Sequence, residues 1–150
     1  MKVRIELDPS MDEPEILIRA PRLTQELAQL QESILKQKLV PLAFYKNRSE
    51  YFLDLADILF FETDAKQVMA HTTRNAYFVK YKLYELENLL SGQFMRVSKS
   101  TILNLDQIYA VTKSISNCQI KFHDSYKTVY VSRRYYRDLN ERLKERRALS

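Results

Sequence analysis

The residues best suited to chemistry in this chain are basic side chains that lie beside hydroxyl groups in two short clusters. Lys99 stands between Ser98 and Ser100, and apolar residues flank these three positions on both sides. Further along, Ser132–Arg134 places a hydroxyl and two arginines directly after another apolar run. Hydroxyl and amide donors beside a cation suit the phosphate backbone of a nucleic acid, and an arginine can contact the edge of a base. The two clusters therefore predict a nucleic-acid interface.

The same residues also permit a purely structural interpretation. Ser98 or Ser100 could cap a short helix that runs through Leu105, and Arg133 and Arg134 could be a solvated pair at the end of a strand. From spacing alone, the helix cap and the phosphate contact are equally supported for the serine cluster. Two clusters of one charge sign at the ends of apolar runs favour the nucleic-acid interpretation.

The distribution of charge agrees with this preference. The chain has a net charge of +5, but the first 40 residues hold six basic and seven acidic side chains. The basic excess therefore lies entirely in residues 41–150, where both clusters are found. A localised excess of positive charge is typical of a surface that attracts phosphates.

Other residue types limit the remaining function classes. A single glycine in 150 residues excludes the glycine-rich loops that hold nucleotides in P-loop, dinucleotide-binding and kinase sites. His71 and His123 have no companions at metal-ligand spacing, so each is expected to be a polar strand residue. Cys118 is expected to be a buried strand cysteine rather than a catalytic thiol. The sequence predicts no catalytic site, no metal and no cofactor.

The chain shows no sign of export or membrane insertion. Its apolar runs are only a few residues long, as in Ile58–Phe61, and its N-terminus lacks the pattern of a signal peptide. A single cysteine cannot form an internal disulfide, which fits a reducing compartment. The expected location is the cytoplasm.

Two strands and a helix are predicted before residue 41. Alternation of apolar and charged residues predicts a strand at Lys2–Leu7, and a second strand is expected at Glu15–Arg19. A helix is expected from Pro21 to near Pro41. Its apolar face comprises Leu23, Leu27, Leu30 and Ile34.

Beyond residue 41 the pattern changes to short strands separated by turn-prone pairs. This close spacing predicts antiparallel hairpins, because parallel strands need much longer connections. The helices are expected at Leu83–Leu90, ended by Ser91-Gly92 with a left-handed glycine, and at Arg134–Arg147, with Tyr135, Leu139 and Leu143 inward. The strands are expected at Leu42–Tyr45, Tyr51–Leu53, Ile58–Glu62, Val68–Thr72, Ala76–Lys80, Ile108–Ser114, Gln119–Phe122 and Thr128–Val131.

Four stretches of the chain together resemble one known family. In chain order they are Asp57–Glu62 (DILFFE), Leu86–Leu90 (LENLL), Phe94–Ile108 (FMRVSKSTILNLDQI) and Val131–Tyr135 (VSRRY). Their residues, order and spacing resemble the LytTR-type DNA-binding domain of bacterial transcription regulators. The resemblance covers roughly residues 42–145.

This resemblance implies loops, rather than a recognition helix, that enter successive major grooves of double-stranded DNA. Carried over by position, the contacts fall on Lys66 and Gln67 in a first loop, on Arg96, Ser98, Lys99 and Ser100 in a second, and on Arg133 or Arg134 in a third. Arginine suits guanine, because its fork fits O6 and N7, whereas lysine and serine suit phosphates.

The predicted fold is mostly β (α+β): an antiparallel, multi-sheet LytTR-like domain over residues 41–150, with an N-terminal ββα extension over residues 1–40 and a C-terminal helix. The predicted function is sequence-specific binding of double-stranded DNA by a transcription regulator that is not an enzyme. Because the family binds paired repeats, a homodimer on DNA is expected.

Two alternatives remain open at this stage. The acidic extension could be a protein-interaction module that dimerises the chain or binds an inhibitory partner, which the resemblance suggests is a small membrane protein. The 17 tyrosines and phenylalanines could stack single-stranded RNA, although core packing explains most of them better.

Overall fold

The computed structural model describes residues 2–36, 42–90 and 92–148. The chain divides into two units, one that ends at Leu35 and a larger one that begins at Lys36. The larger unit consists mainly of antiparallel β-sheet with a few helices. The predicted mostly β fold is therefore confirmed.

Three α-helices and ten β-strands occur in the described residues. The helices are α1 (Gln25–Lys36), α2 (Leu83–Leu89) and α3 (Tyr136–Ala148). The strands are β1 (Phe44–Lys46), β2 (Ser49–Tyr51), β3 (Phe60–Asp64), β4 (Gln67–His71), β5 (Ala76–Val79), β6 (Phe94–Arg96), β7 (Thr101–Asn104), β8 (Ile108–Lys113), β9 (Cys118–Phe122) and β10 (Thr128–Val131).

Among the described residues of the N-terminal unit, the helix is the only regular element. Both strands predicted there, Lys2–Leu7 and Glu15–Arg19, are wrong, because residues 2–24 contain no strand. Alternation gives a strand one apolar face, but a strand also needs a neighbour for its backbone hydrogen bonds, and none pairs with these residues in the described chain.

The helix of this unit starts later than predicted. Thr24 caps it, since its hydroxyl accepts a hydrogen bond from the amide of Leu27 at 3.2 Å. Helix α1 therefore begins at Gln25 rather than at Pro21. The predicted end near Pro41 lies outside the described residues.

The larger unit contains a seven-stranded sheet with the strand order β2-β1-β5-β4-β3-β7-β6. Every neighbouring pair in it is antiparallel, as the short spacing predicted. The central strands are buried on both faces: Phe60 and Leu103 lie in one hydrophobic cluster, and Phe61 and Ile102 lie in the other. This two-sided burial explains why Ile58–Phe61 is a continuous apolar run.

A separate three-stranded sheet, β10-β9-β8, covers one face of the larger sheet. Its Ile120 and Phe122 share a cluster with Phe60, and Leu139 of α3 closes the cluster at 1% exposure. Tyr135 and Leu143 also pack against this cluster, which confirms the predicted inward face of the last helix.

One structural alternative and one local prediction are wrong. Residues 101–104 form a fully buried strand, so the serines before them do not cap a helix running through Leu105. Helix α2 ends with Leu90 in an extended conformation, and Gly92 is not left-handed. The single glycine is therefore not needed for a left-handed cap.

Candidate nucleic-acid interface

Three loops of the larger unit meet at one end of the seven-stranded sheet. We call them the first loop (residues 64–67), the second loop (97–100) and the third loop (132–135). The first loop follows β3 and the second precedes β7, and these two strands pair with Glu62 opposite Thr101. The amide of Thr63 then donates to the carbonyl of Ser100 at 2.9 Å.

A second backbone contact joins the third loop to the same end of the sheet. The amide of Ser132 donates to the carbonyl of Val97 at 2.9 Å, and the hydroxyl of Ser132 reaches that carbonyl at 3.3 Å. Val97 itself is fully buried. The backbone thus links the third loop to the second, and the second to the strand that leads into the first.

The first loop is a tight hairpin turn. Asp64 pairs with Gln67 across it, and the two residues between them, Ala65 and Lys66, have positive φ values of 48° and 70°. Consecutive left-handed residues give the turn a twist that suits antiparallel strands. Lys66 and Gln67 are both exposed at its tip, where the sequence placed them.

The second loop is held in shape by its own hydroxyls. The amide of Ser100 donates to Ser98 Oγ at 3.2 Å, and the two hydroxyl oxygens lie 3.3 Å apart. Lys99 lies between them, exposed, and its ammonium group has no partner among the residues that the structure describes. The loop therefore presents one cation beside two hydroxyls.

Arg96 is placed differently from the other predicted site residues. Its Nε donates to the carbonyl of Ser98 at 2.8 Å, and one terminal nitrogen donates to the carbonyl of Lys99 at 2.5 Å. The other terminal nitrogen contacts the Glu87 carboxylate at 3.1 Å, and the side chain is only 19% exposed. Arg96 therefore stabilises the conformation of the second loop by donating to two of its backbone carbonyls.

The third loop presents two exposed arginines. Arg133 and Arg134 lie in a short 3-10 turn that precedes α3. The Arg134 guanidinium lies 5.8 Å from the ring centre of Tyr135, whose side chain packs against the core. No acidic side chain pairs with either arginine within residues 2–36, 42–90 and 92–148. Both are therefore available to an anionic partner.

Acidic groups lie near the first loop. Burial and the neighbouring Asp64 raise the pKa of Glu62. Behind Glu62, burial and the cation of Lys127 lower the pKa of His71 to about 4, so this imidazole is neutral at pH 7. Its Nδ1 then accepts from Lys127 Nζ at 3.1 Å, which leaves Nε2–H facing Glu62 at 3.7 Å as a polar contact rather than an ion pair.

Most basic residues on the last helix are already engaged. Arg137 pairs with Glu141 at 3.5 Å, Arg142 donates to the carbonyl of Gly92, and Arg146 pairs with Asp106. Two of these three contacts are ion pairs with acidic side chains. Exposed cations also lie in the three loops, at Lys66, Lys99, Arg133 and Arg134.

Sequence reasoning missed the residues that hold the loops together. Thr63, Val97 and Ser132 connect the loops through backbone atoms, which leave no pattern in the sequence. Glu87, the partner of Arg96, lies nine positions before it in the chain, on a different element. A signal for Ser132 did exist, because it is part of the VSRRY stretch.

Comparison with known proteins agrees with this geometry. Residues 48–144 match the family model described as the LytTr DNA-binding domain. The chain therefore belongs to the LytTR family of DNA-binding domains, as the sequence predicted. No helix within the described residues has the length and apolar character that a membrane span requires.

Similar proteins and a solved structure point in the same direction. Two uncharacterised HTH-type transcriptional regulators of Staphylococcus aureus, from strains COL and NCTC 8325, are each 28% identical over 95% of this chain and 98% of their own length. The LytTr DNA-binding domain of a putative methyl-accepting/DNA response regulator from Bacillus cereus superposes with a TM-score of 0.62 at 21% identity. It covers 67% of this chain and 94% of that domain. This superposition supports the fold.

Proposed function

We propose that this protein is a transcription regulator that binds double-stranded DNA at specific sequences through its three loops. The observation that carries the proposal is the backbone linkage of the loops at one end of the sheet. Because this linkage holds Lys99, Arg133 and Arg134 on neighbouring loops, their cations can act on one DNA surface together. Loops whose backbone is already held in place lose little backbone entropy on binding.

Each loop has a different role in this proposal. Arg133 and Arg134 contact base edges, since the arginine fork matches guanine and no acidic side chain among the described residues forms an ion pair with either group. Lys99 and its flanking hydroxyls hold phosphates. Lys66 and Gln67 add a third contact from the first loop, where nearby Asp64 and Glu62 reduce the attraction.

Arg96 acts indirectly in this proposal. Each of its three nitrogens already donates a bond inside the molecule, two of them to carbonyls of the second loop. Its role is to fix the position of Lys99 and the two serines. The sequence grouped it with the DNA-contacting residues, and the geometry favours a positioning role.

Selection of bound sequences from random duplex DNA, at several salt concentrations, tests the proposed function. A short enriched motif that persists as salt rises is the expected result, because base contacts survive when phosphate attraction is screened. Retention that depends on salt alone, without a motif, would show nonspecific binding. Preference for single-stranded RNA over duplex DNA would contradict the proposal.

We further propose that the regulator acts in the cytoplasm as a homodimer on paired repeats. Two linked domains on adjacent sites raise the affinity of each other through proximity, without any new contact to DNA. Enrichment of two copies of the motif at fixed spacing is expected in the selection. A single unpaired motif would contradict the dimer and leave sequence-specific binding intact.

The exposed apolar residues of the N-terminal unit favour a second candidate function. Ile16, Ile18, Leu23 and Leu27 line a groove of about 370 Å³ in this unit, and such a surface suits a protein partner, including an inhibitory membrane protein. Deletion of residues 1–40 tests it. Loss of association with retained DNA binding supports an interaction role, whereas loss of folding would show that these residues are core.

A further inference from the structure

The first residues of the chain carry a strand pattern that the described molecule does not use. Apolar and charged side chains alternate over residues 2–8, and Val3, Ile5 and Leu7 are 86%, 86% and 91% exposed. No described strand pairs with this segment. Its amides and carbonyls are therefore open to a ladder with another chain.

We infer that residues 2–8 of two copies of this chain pair with each other as antiparallel strands centred on Ile5. This inference deepens the homodimer proposed above by naming the surface that forms it. It does not depend on how the loops contact DNA. The ladder adds a strand from one subunit to the same strand of the other, which gives a two-fold interface.

The amino-acid order supports this particular register. Directly facing pairs are Lys2 with Asp8, Val3 with Leu7, Arg4 with Glu6, and Ile5 with Ile5 of the partner subunit. Each charged residue then faces the opposite charge, and all apolar residues lie on one face of the ladder. Facing residues in an antiparallel pair have closely spaced Cβ atoms, so opposite charges stabilise the pairing.

The local contacts of these charged groups agree with the register. Arg4 and Glu6 already attract each other within one chain at 3.3 Å, although both are highly exposed. Asp8 accepts two hydrogen bonds from Ser10, and these bonds lower its pKa, so its carboxylate stays charged opposite a lysine. These groups are therefore solvent-accessible when a second copy arrives.

Pairing with the second apolar stretch of the same chain is less favourable. Antiparallel pairing of residues 2–7 with residues 15–20 can occur in two registers that keep the apolar residues on one face. Each of these registers forms five facing pairs. One places Arg4 opposite Arg19. The other places Glu6 opposite Glu15 and Lys2 opposite Arg19. Like charges directly opposite each other destabilise a ladder, so the self-paired register is preferred.

The size of the N-terminal unit gives an independent reason for association. Units below about 40 residues bury too little surface to be stable without disulfides, metals or oligomerisation. This unit ends at Leu35, and its cysteine-free sequence cannot form a disulfide. A second copy supplies the apolar surface that the unit lacks.

Reversal of single charges tests the register. In Arg4→Glu, the new carboxylate faces Glu6 of the partner subunit at two symmetric places, and in Glu6→Arg the two guanidiniums face each other likewise. Each variant alone is expected to weaken dimerisation by about tenfold or more, measured by sedimentation of the full chain. Mixing the two variants restores opposite charges in every pair, so a heterodimer is expected.

Asp12→Arg is the matched control for Glu6→Arg, because it makes the same change of charge outside the paired segment and should dimerise like the wild type. The inference is overturned if the wild type is monomeric at high micromolar concentration, if either single variant dimerises normally, or if the mixture stays monomeric. Binding to a single DNA motif, measured on the same variants, should be unchanged. Failure of that binding in the wild type would contradict the DNA-reading proposal alone.

Discussion

Replacement of Arg96 by lysine separates a positioning role from a direct DNA contact. The substitution keeps the positive charge but removes the fork that donates to the carbonyls of Ser98 and Lys99 and to Glu87. A lysine could still attract a phosphate, but it cannot make three divergent hydrogen bonds from one planar group. If Arg96 positions the second loop, Arg96→Lys should therefore lose DNA affinity.

The expected magnitude follows from the contacts of the guanidinium. Hydrogen bonds that involve a charged group contribute roughly 1.5–3 kcal/mol when buried and less when partly solvated. Arg96 makes three such bonds at 19% exposure. The free energy of unfolding should thus fall by about 2–4 kcal/mol in Arg96→Lys, measured by denaturant titration. Glu87→Gln is the matched control, because it removes the charge from only one of the three contacts. It should lower the free energy of unfolding by at most about 1 kcal/mol.

A double-mutant cycle with Lys99→Ala completes the test. Because Arg96 fixes the loop that carries Lys99, the loss of DNA affinity from Lys99→Ala should shrink in the Arg96→Lys background. The coupling energy should be at least about 0.5 kcal/mol. Additive losses, together with unchanged stability of Arg96→Lys, would refute the positioning role and place Arg96 on the DNA.

Four further predictions concern single residues. Lys99→Ala should weaken binding to all duplexes alike and reduce the salt slope by about one, measured by titration at several ionic strengths. Arg134→Ala should lower affinity by about 1–3 kcal/mol and relax preference at one base pair, read by competition with point-substituted duplexes. Asn104→Ala should lower the free energy of unfolding by about 2–4 kcal/mol, because a fully buried amide that bonds Ile58 and Asp106 is lost; exposed Asn88→Ala should change it little. His71 has a folded pKa of about 4 against 6.5 unfolded, so the folded state resists its protonation. Stability should therefore be full above pH 6.5 and fall by up to roughly 3 kcal/mol as pH drops towards 4. In His71→Gln the loss of stability at low pH should be smaller. In His123→Gln, at an exposed position, it should be the same as in the wild type.

Much of the sheet could be predicted because its strands carry local signals. Alternation and turn-prone pairs identified β3, β4, β5, β8, β9 and β10 to within a few residues. The strands β6 and β7 were missed as strands, since Phe94–Arg96 is too short for alternation and Thr101–Asn104 is buried at every position. A strand buried on both sides has no polar face to reveal its period.

The N-terminal unit shows the opposite failure. The alternation of Lys2–Leu7 is a valid strand pattern, yet the described chain offers it no partner strand. A sequence pattern records which face a strand would bury, but it does not record whether a neighbour exists. The missing neighbour is the reason to look for it on a second copy.

The predicted site residues stay predictions as DNA contacts, but their placement could be foreseen only in part. The clusters around Lys99 and Arg134 were visible because both lie at the ends of apolar runs. Their meeting depends on Ser132, whose amide and hydroxyl both contact the carbonyl of Val97, 35 positions away in the chain. The structural role of Arg96 likewise depends on Glu87, which no local pattern connects to it.

Amide chemical shifts recorded while a selected duplex is added test most directly whether the three loops bind DNA together. The account predicts that signals from Lys66, Lys99 and Arg134 shift with one common dissociation constant. The hairpin turn at Asn47-Arg48 and the β8–β9 turn should stay unchanged. Shifts confined to α3 or to the three-stranded sheet, with all three loops unperturbed, would contradict it.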